Sequence, residues 1–249
     1  MKIIACYSNK GGVGKTATSV NLAYACAMSG KRTLLCDLDP QGASGFYFRI
    51  KPSKKLQDRA FFKDVERFVD AIRASDYDNL DLVPANLTFK DFDIFLSRMK
   101  NSRSRLKKAL KAVDNDYDVI ILDCPPNISL LSENVFKTAD KIVVPVIPTT
   151  LSLRTLEQLY TFFDENGYPK KKLLPFFSMV QLSKKLHKES MLSLRKKYKN
   201  LLKPYIPFST EIERMGVYRA PVTTYANKKN MGNVYAEMWK DIEVKVKIV

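Results

Sequence analysis

Within eight positions, Asn9-Lys10-Gly11-Gly12-Val13-Gly14-Lys15-Thr16 carries three glycines, two lysines and a hydroxyl. Glycines this dense let successive backbone N–H groups curl around phosphate oxygens, because they admit close approach and positive φ. Lys15 then reaches the β- and γ-phosphates of a nucleoside triphosphate, and the Thr16 hydroxyl ligates Mg²⁺. Such a loop needs a strand before it and a helix after it. Lys2 to Tyr7 is apolar and suits a buried strand, while Ala17 to Met28 offers Val20, Leu22, Ala23, Ala27 and Met28 as a helical stripe. The helix beginning near Lys15 aims its unpaired N–H groups and positive dipole end at the same anion.

Two further stretches end in carboxylates. Thr33-Leu34-Leu35-Cys36-Asp37-Leu38-Asp39-Pro40-Gln41-Gly42 describes a strand opening onto a ligand crevice, with Asp37 and Asp39 placed on one side by alternation. A carboxylate there can orient water against a γ-phosphate. Val119-Ile120-Ile121-Leu122-Asp123 is a branched apolar run that buries between neighbours and delivers Asp123 beside the loop, to hold a Mg²⁺ water.

The remaining elements must form the frame. A charged helix with Phe61, Phe62, Val65, Phe68, Val69 and Ile72 as its buried stripe is expected over Lys51–Asp76. Strands follow at Asn79–Asn86, Lys141–Pro148 and Leu173–Val180, with helices at Phe89–Met99, Ser152–Phe163 and Val234–Val246. This alternation implies right-handed crossovers and an α/β, doubly wound, mostly parallel sheet with helices on both faces. No Pro, Gly or Ser linker divides residues 1–249, so a single domain is expected.

Lys and Arg number 42 against 26 Asp and Glu, a net charge of +16 that favours polyanionic partners. Between Ser183 and Pro204 the chain gathers Lys184, Lys185, Lys188, Arg195, Lys196, Lys197, Lys199 and Lys203 among interleaved Leu and Tyr residues. This reads as an amphipathic basic helix suited to phosphate contacts without base readout. The cysteines at 6, 26, 36 and 124 match neither zinc nor redox spacing and are expected as buried thiols. His187, the single histidine, stands among lysines and is expected on the surface. No apolar run reaches transmembrane length, and Met1-Lys2 leads directly into the first strand, which points to a cytosolic protein.

With Asn9 where glycine is usual and Lys10 as a second lysine, the loop is the deviant Walker A form, and the chain resembles the ParA, Soj and MinD family of P-loop ATPases. The resemblance implies that Lys10 crosses a dimer interface to the partner's nucleotide. It makes Asp39, in Asp-x-Asp-Pro-Gln-Gly, the residue supporting hydrolysis, and Asp123 the magnesium residue. Contacts to ATP are implied for Lys10, Gly11, Gly12, Val13, Gly14, Lys15, Thr16 and Ala17, and for Met179, Pro207 and Phe208 near the base. The chain departs from the family at Ala43-Ser44-Gly45, where Asn-Ala-Thr is usual, and at Glu213-Arg214-Met215-Gly216. The function implied is that of a ParA-type ATPase, which dimerises on ATP, binds DNA non-specifically and is stimulated by a ParB-like partner to segregate DNA or position cargo. Two alternatives are a MinD-like membrane ATPase, using the closing helix, and a nucleotide-gated DNA scaffold with negligible turnover. A nitrogenase-type iron protein is disfavoured, because no second suitable cysteine follows Cys124.

Overall fold

A computed structural model of the chain describes residues 1–54, 56, 58–226, 231 and 233–247. Strands β1 (Lys2–Cys6), β2 (Thr33–Asp37), β3 (Arg73–Ala74), β4 (Leu80–Val83), β5 (Val119–Asp123), β6 (Lys141–Val146), β7 (Leu173–Val180) and β8 (Tyr205–Pro207) form one sheet. Their order is β3-β4-β2-β5-β1-β6-β7-β8, and every pairing is parallel except β3 with β4. The first strand lies between β5 and β6, in register Cys6↔Asp123 on one side and Cys6↔Val143 on the other. The chain thus leaves β1 in one direction and later returns to its other edge, and the C-terminal ends of these central strands frame a crevice.

Burial on both faces explains the near-continuous apolar runs of the central strands. Ile3, Ala5 and Tyr7 point into one core, and Ile4 and Cys6 into the other. The first core is closed by α3 (Asp58–Lys63), α4 (Val65–Val69), α5 (Phe92–Ser97), α6 (Arg105–Leu110), α7 (Leu130–Thr138), α8 (Thr150–Glu165) and α9 (Lys185–Lys197). The second is closed by α1 (Lys15–Met28), α11 (Met215–Tyr218) and α12 (Val234–Val246). Two short helices, α2 (Ala43–Tyr47) and α10 (Thr210–Glu213), sit beside the crevice. All four cysteines are buried and free, as their spacing suggested.

The closing helix turns its stripe inward. Tyr235, Met238, Trp239 and Ile242 pack into the core shared with α1, and the Trp239 indole N–H donates to Ser29 Oγ at 3.0 Å. Among the described residues, no helix is long and apolar enough to cross a membrane.

Three sequence expectations need correction. The helix expected over Lys51–Asp76 is broken into α3, α4 and the edge strand β3, with positions 55 and 57 outside the described residues. Asp64 causes the break, because its extended backbone and its carboxylate, which accepts the Arg67 N–H at 3.0 Å, start a new helix there. Val65 and Val69 consequently face solvent rather than the core. Met28, assigned to the stripe of α1, is 48% exposed. His187 is buried, not on the surface. Its Nδ1 accepts the Gln181 N–H at 3.1 Å and so fastens the start of α9 to the end of β7.

Burial, and secondarily the charge of Lys184, lowers the His187 pKa below its ordinary 6.5. The unfolded imidazole therefore takes up a proton more readily than the folded one. Its contribution to stability is present above pH 6.5 and is lost as pH falls through that value. His187→Asn keeps an acceptor near the Nδ1 position without titrating. Melting temperature measured from pH 7.5 to 5 should fall less steeply for His187→Asn than for the natural chain; parallel curves would rule this out.

Candidate functional site

The crevice is built from the residues that follow β1, β2, β5, β6, β7 and β8. Gly12 and Gly14 hold φ of +69° and +90°, which side-chain-bearing residues rarely adopt. Val13 between them is buried, and its carbonyl accepts the Ser178 hydroxyl at 2.9 Å, which ties the loop to β7. Helix α1 begins at Gly14 with no side-chain cap and no acidic residue in its first turn, leaving its N–H groups directed at the loop. Lys15 is buried, and its ammonium donates across the loop to the Lys10 carbonyl at 3.2 Å. Burial lowers its pKa, against the opposing charges of Asp123 and Asp39. An ammonium held beneath a cradle of N–H groups is suited to an anion carrying several negative charges.

Asp123 and Asp37 stand opposite each other at the ends of β5 and β2, both fully buried. Asp123 Oδ1 accepts the Ser19 hydroxyl at 3.0 Å, and Oδ2 accepts the Ser44 hydroxyl at 2.9 Å. Burial raises the Asp123 carboxyl to about 6, although hydrogen bonds from Ser44, Thr16 and Ser19 lower it. Asp37 is raised well above the ordinary carboxylate value, first by burial and then by the Asp123 charge, even though its oxygens accept the N–H groups of Asp39 at 3.0 Å and Ser44 at 3.1 Å. Asp39 lies beyond the strand, half-buried, and accepts the Gln41 N–H at 3.0 Å.

Thr16 and Asp123 thus meet, as their place in the sequence suggested. A hydroxyl and a carboxylate are hard oxygen donors that suit Mg²⁺, which takes one or two carboxylates and fills its remaining positions from phosphate and water. Among the described residues, no three metal-ligating side chains cluster into a protein-only cage.

Beside α1 lies an apolar cleft of about 50 Å³ lined by Gly14, Ala17, Met179, Ile206, Pro207 and Phe208. It brings together the residues expected near the base, although they come from α1, β7 and β8. Met179 adopts φ of +54°, an unusual backbone for a residue with a side chain, at the point where β7 turns its edge into this cleft.

Lys10 extends to α8, where its ammonium donates to the buried Ser152 hydroxyl at 3.2 Å. That position is the first turn of a helix, whose positive dipole end disfavours a cation. The basic row on α9 is exposed throughout, but three members have partners. Lys197 pairs with Glu157 at 2.5 Å and Lys185 with Glu189 at 3.7 Å, while Arg195 lies over the Phe177 ring and donates to the Lys203 carbonyl at 2.9 Å. Lys184, Lys188, Lys196, Lys199 and Lys203 have no ion pair among the described residues, and Lys199 and Lys203 fall beyond the end of α9, which stops at Lys197.

Residue types alone left Ser19, Ser44, Ser152 and Ser178 without roles. Only the fold shows that Ser19 and Ser44 meet Asp123, that Ser178 meets the Val13 carbonyl and that Ser152 meets the Lys10 ammonium. Asp37 was signalled by its alternation with Asp39, though not its depth.

A family model described as an AAA domain matches residues 1–174. The sporulation initiation inhibitor protein Soj of Bacillus subtilis is 41% identical over 160 residues, covering 64% of this chain and 63% of Soj. The chromosome partitioning protein ParA of Myxococcus xanthus is 36% identical over 159 residues, covering 63% of this chain and 56% of ParA. These matches span less than two thirds of either relative's length. Among solved structures, a cobyrinic acid a,c-diamide synthase of Mycobacterium smegmatis with bound ATP analogue and magnesium superposes with a TM-score of 0.79 at 28% identity, covering 96% of this chain and 93% of that one.

The loop geometry separates two glycines by conformation. A Cβ at Gly14 would sit at positive φ and 3.3 Å from Ser178 Oγ, whereas a Cβ at Gly11 meets nothing within 4 Å. In urea unfolding, Gly14→Ala should therefore lose about 1–2 kcal/mol and Gly11→Ala far less. Equal midpoints for the two variants would contradict this account of the loop.

Proposed function

The chain belongs to the AAA-domain family, on its branch of ParA, Soj and MinD ATPases, and from that premise we propose that it binds and hydrolyses ATP to drive DNA partition or cargo positioning. The observation that carries this reading is the convergence of Lys15, Thr16 and Asp123 at the uncapped N-terminus of α1. The N–H groups of Gly11 to Thr16 receive the phosphates, with Gly12 and Gly14 providing the curvature. Lys15 exchanges the Lys10 carbonyl for phosphate oxygens, a stronger partner for a partly buried ammonium. The adenine lies in the cleft of Met179, Pro207 and Phe208, beside Ala17. Thr16 and Asp123 would hold Mg²⁺, which neutralises charge between the β- and γ-phosphates when bound.

Asp39 has the right exposure to hold water. It orients the attacking water toward the γ-phosphorus, the bond to the bridging oxygen breaks, and ADP and inorganic phosphate leave. Lys10 rests where a helix dipole opposes it, so a partner protomer's phosphate offers a better site for its charge. We accordingly assign it to an ATP-dependent homodimer. Two copies of the row formed by Lys184, Lys188, Lys196 and Lys199 on one rigid body would give non-specific DNA binding that a single copy holds weakly. A ParB-like partner that stimulates turnover, and residence on the nucleoid, belong to the same proposal. Membrane attachment by α12 is not included, because its apolar stripe is already used against α1.

Phosphate release and nucleotide binding test the assignment together. Lys15→Ala should abolish ATP binding. Asp39→Ala should keep it while turnover falls about 10²–10⁴-fold, and the ATP-loaded variant should shift unrelated DNA duplexes in a salt-sensitive way. Adding Lys188→Glu and Lys196→Glu should remove the shift without affecting ATP binding. Full turnover by Asp39→Ala, or ATP binding by Lys15→Ala, would sink the proposal.

A further inference from the structure

Ser44 occupies a position that nothing so far has used. It lies in the first turn of α2, is fully buried, and makes two hydrogen bonds to two different strand-end carboxylates. Its amide donates to Asp37 Oδ2 at 3.1 Å, and its hydroxyl donates to Asp123 Oδ2 at 2.9 Å. The turn that precedes it is held from its other end, where the Asp39 amide donates to Asp37 Oδ1 at 3.0 Å and the Gly42 amide donates to the Asp39 carbonyl at 2.9 Å. Asp39 and Ser44 are therefore two ends of one short turn clamped by Asp37.

The helix carrying Ser44 has little room to move. A Cβ at Gly45 would stand 3.0 Å from the Ile50 carbonyl oxygen and 3.1 Å from Pro84 Cβ, so the backbone of α2 is seated directly on the residue after β4. The other hydroxyl hydrogen-bonded to Asp123, that of Ser19, comes from α1. Ser44 alone among these donors belongs to the turn that bears Asp39.

We propose that Ser44 is a positioning residue that fastens the Asp39 turn to Asp123, so that orienting the cation-holding carboxylate and placing the water-orienting carboxylate are a single event. The inference rests on the reading of the site as one for Mg²⁺ and ATP. Hydrogen-bond partners of metal-holding carboxylates set the orientation of their oxygens, and losing one typically costs 10- to 100-fold in metal affinity or activity. Without the Ser44 hydroxyl, Asp123 Oδ2 loses its donor and the turn loses its side-chain tether to β5, leaving the Leu38 N–H on the Asp123 carbonyl at 2.9 Å as the backbone link.

The test titrates Mg²⁺ against binding of a fluorescent ATP analogue to the natural chain, Ser44→Ala and Ser44→Cys. Cysteine, somewhat larger, fills the space of the serine side chain and donates only weakly. Both variants should match the natural chain in nucleotide affinity without Mg²⁺, and both should need about 10-fold more Mg²⁺ for its half-maximal effect. At saturating Mg²⁺, kcat should fall with KM for ATP little changed. A Mg²⁺ requirement within about twofold of the natural chain, or a Ser44→Cys variant that behaves naturally while Ser44→Ala does not, would overturn the role, the latter by showing that volume is what matters. A natural chain whose nucleotide binding ignores Mg²⁺ would instead remove the cation site, and the role of Ser44 with it.

Discussion

Two carboxylates, Asp37 and Asp123, end neighbouring strands at paired positions with no exposure to water. Burial penalises each charge and proximity penalises having both, which is why both groups are pushed above the ordinary carboxylate range. Such a pair persists only where surrounding groups compensate, and the crevice is arranged to do so. Two backbone amides serve Asp37, and the hydroxyls of Ser19 on α1 and Ser44 on α2 serve Asp123. The partly buried ammonium of Lys15 supplies the opposing charge. Under the proposed reading, a divalent cation and phosphates would complete that compensation.

The rest of the fold keeps these groups from relaxing apart. The strands that carry them are buried on both faces, and a shift of one residue in register would send alternate apolar side chains into the wrong core. Helix α1 is held as firmly. Asn21, fully buried, accepts the Val222 N–H at 2.7 Å and donates to the Ala17 carbonyl at 2.7 Å and to Met215 Sδ at 3.2 Å. The helix that supplies Thr16 and Ser19 is thereby joined to the C-terminal segment that also lines the apolar cleft beside α1. A second link runs over the crevice from Arg219, which donates to the Phe46 carbonyl at 3.0 Å and stacks on its ring. Phe46 belongs to α2, two residues after Ser44, so the loop after α11 contacts the same short helix that touches Asp123.

The parts of this arrangement legible in the sequence are those set by local pattern. Four branched residues before Asp123 and the glycine run before Lys15 can each be placed without knowing any long-range contact, because strand burial and loop curvature are properties of adjacent residues. Groups that act through pairing between distant strands were not legible in this way. The depth of Asp37 depends on the register of β2 against β5, and the value of Ser44 depends on α2 being seated over β4. His187 was misplaced because a lysine-rich neighbourhood says nothing about the Gln181 N–H waiting at the end of β7. The single helix read over Lys51–Asp76 followed the phenylalanine spacing and overlooked Asp64, whose side chain is a better cap than an interior residue. Of the eight basic residues read as one helix, α9 carries only Lys185, Lys188, Arg195, Lys196 and Lys197, and the pattern could not reveal that Glu157 on α8 already holds Lys197.

The central claim is that the buried carboxylates and the ammonium beside them form a site completed by magnesium and ATP. Thermal unfolding of the natural chain tests it most directly, compared with no ligand, with ATP and a chelator, with Mg²⁺ alone, and with both together. Magnesium and ATP at about one hundred times their dissociation constant should raise the melting temperature by roughly 5–10 °C, and either component alone by clearly less. No increase with both, or the same increase with Mg²⁺ alone, would contradict the account.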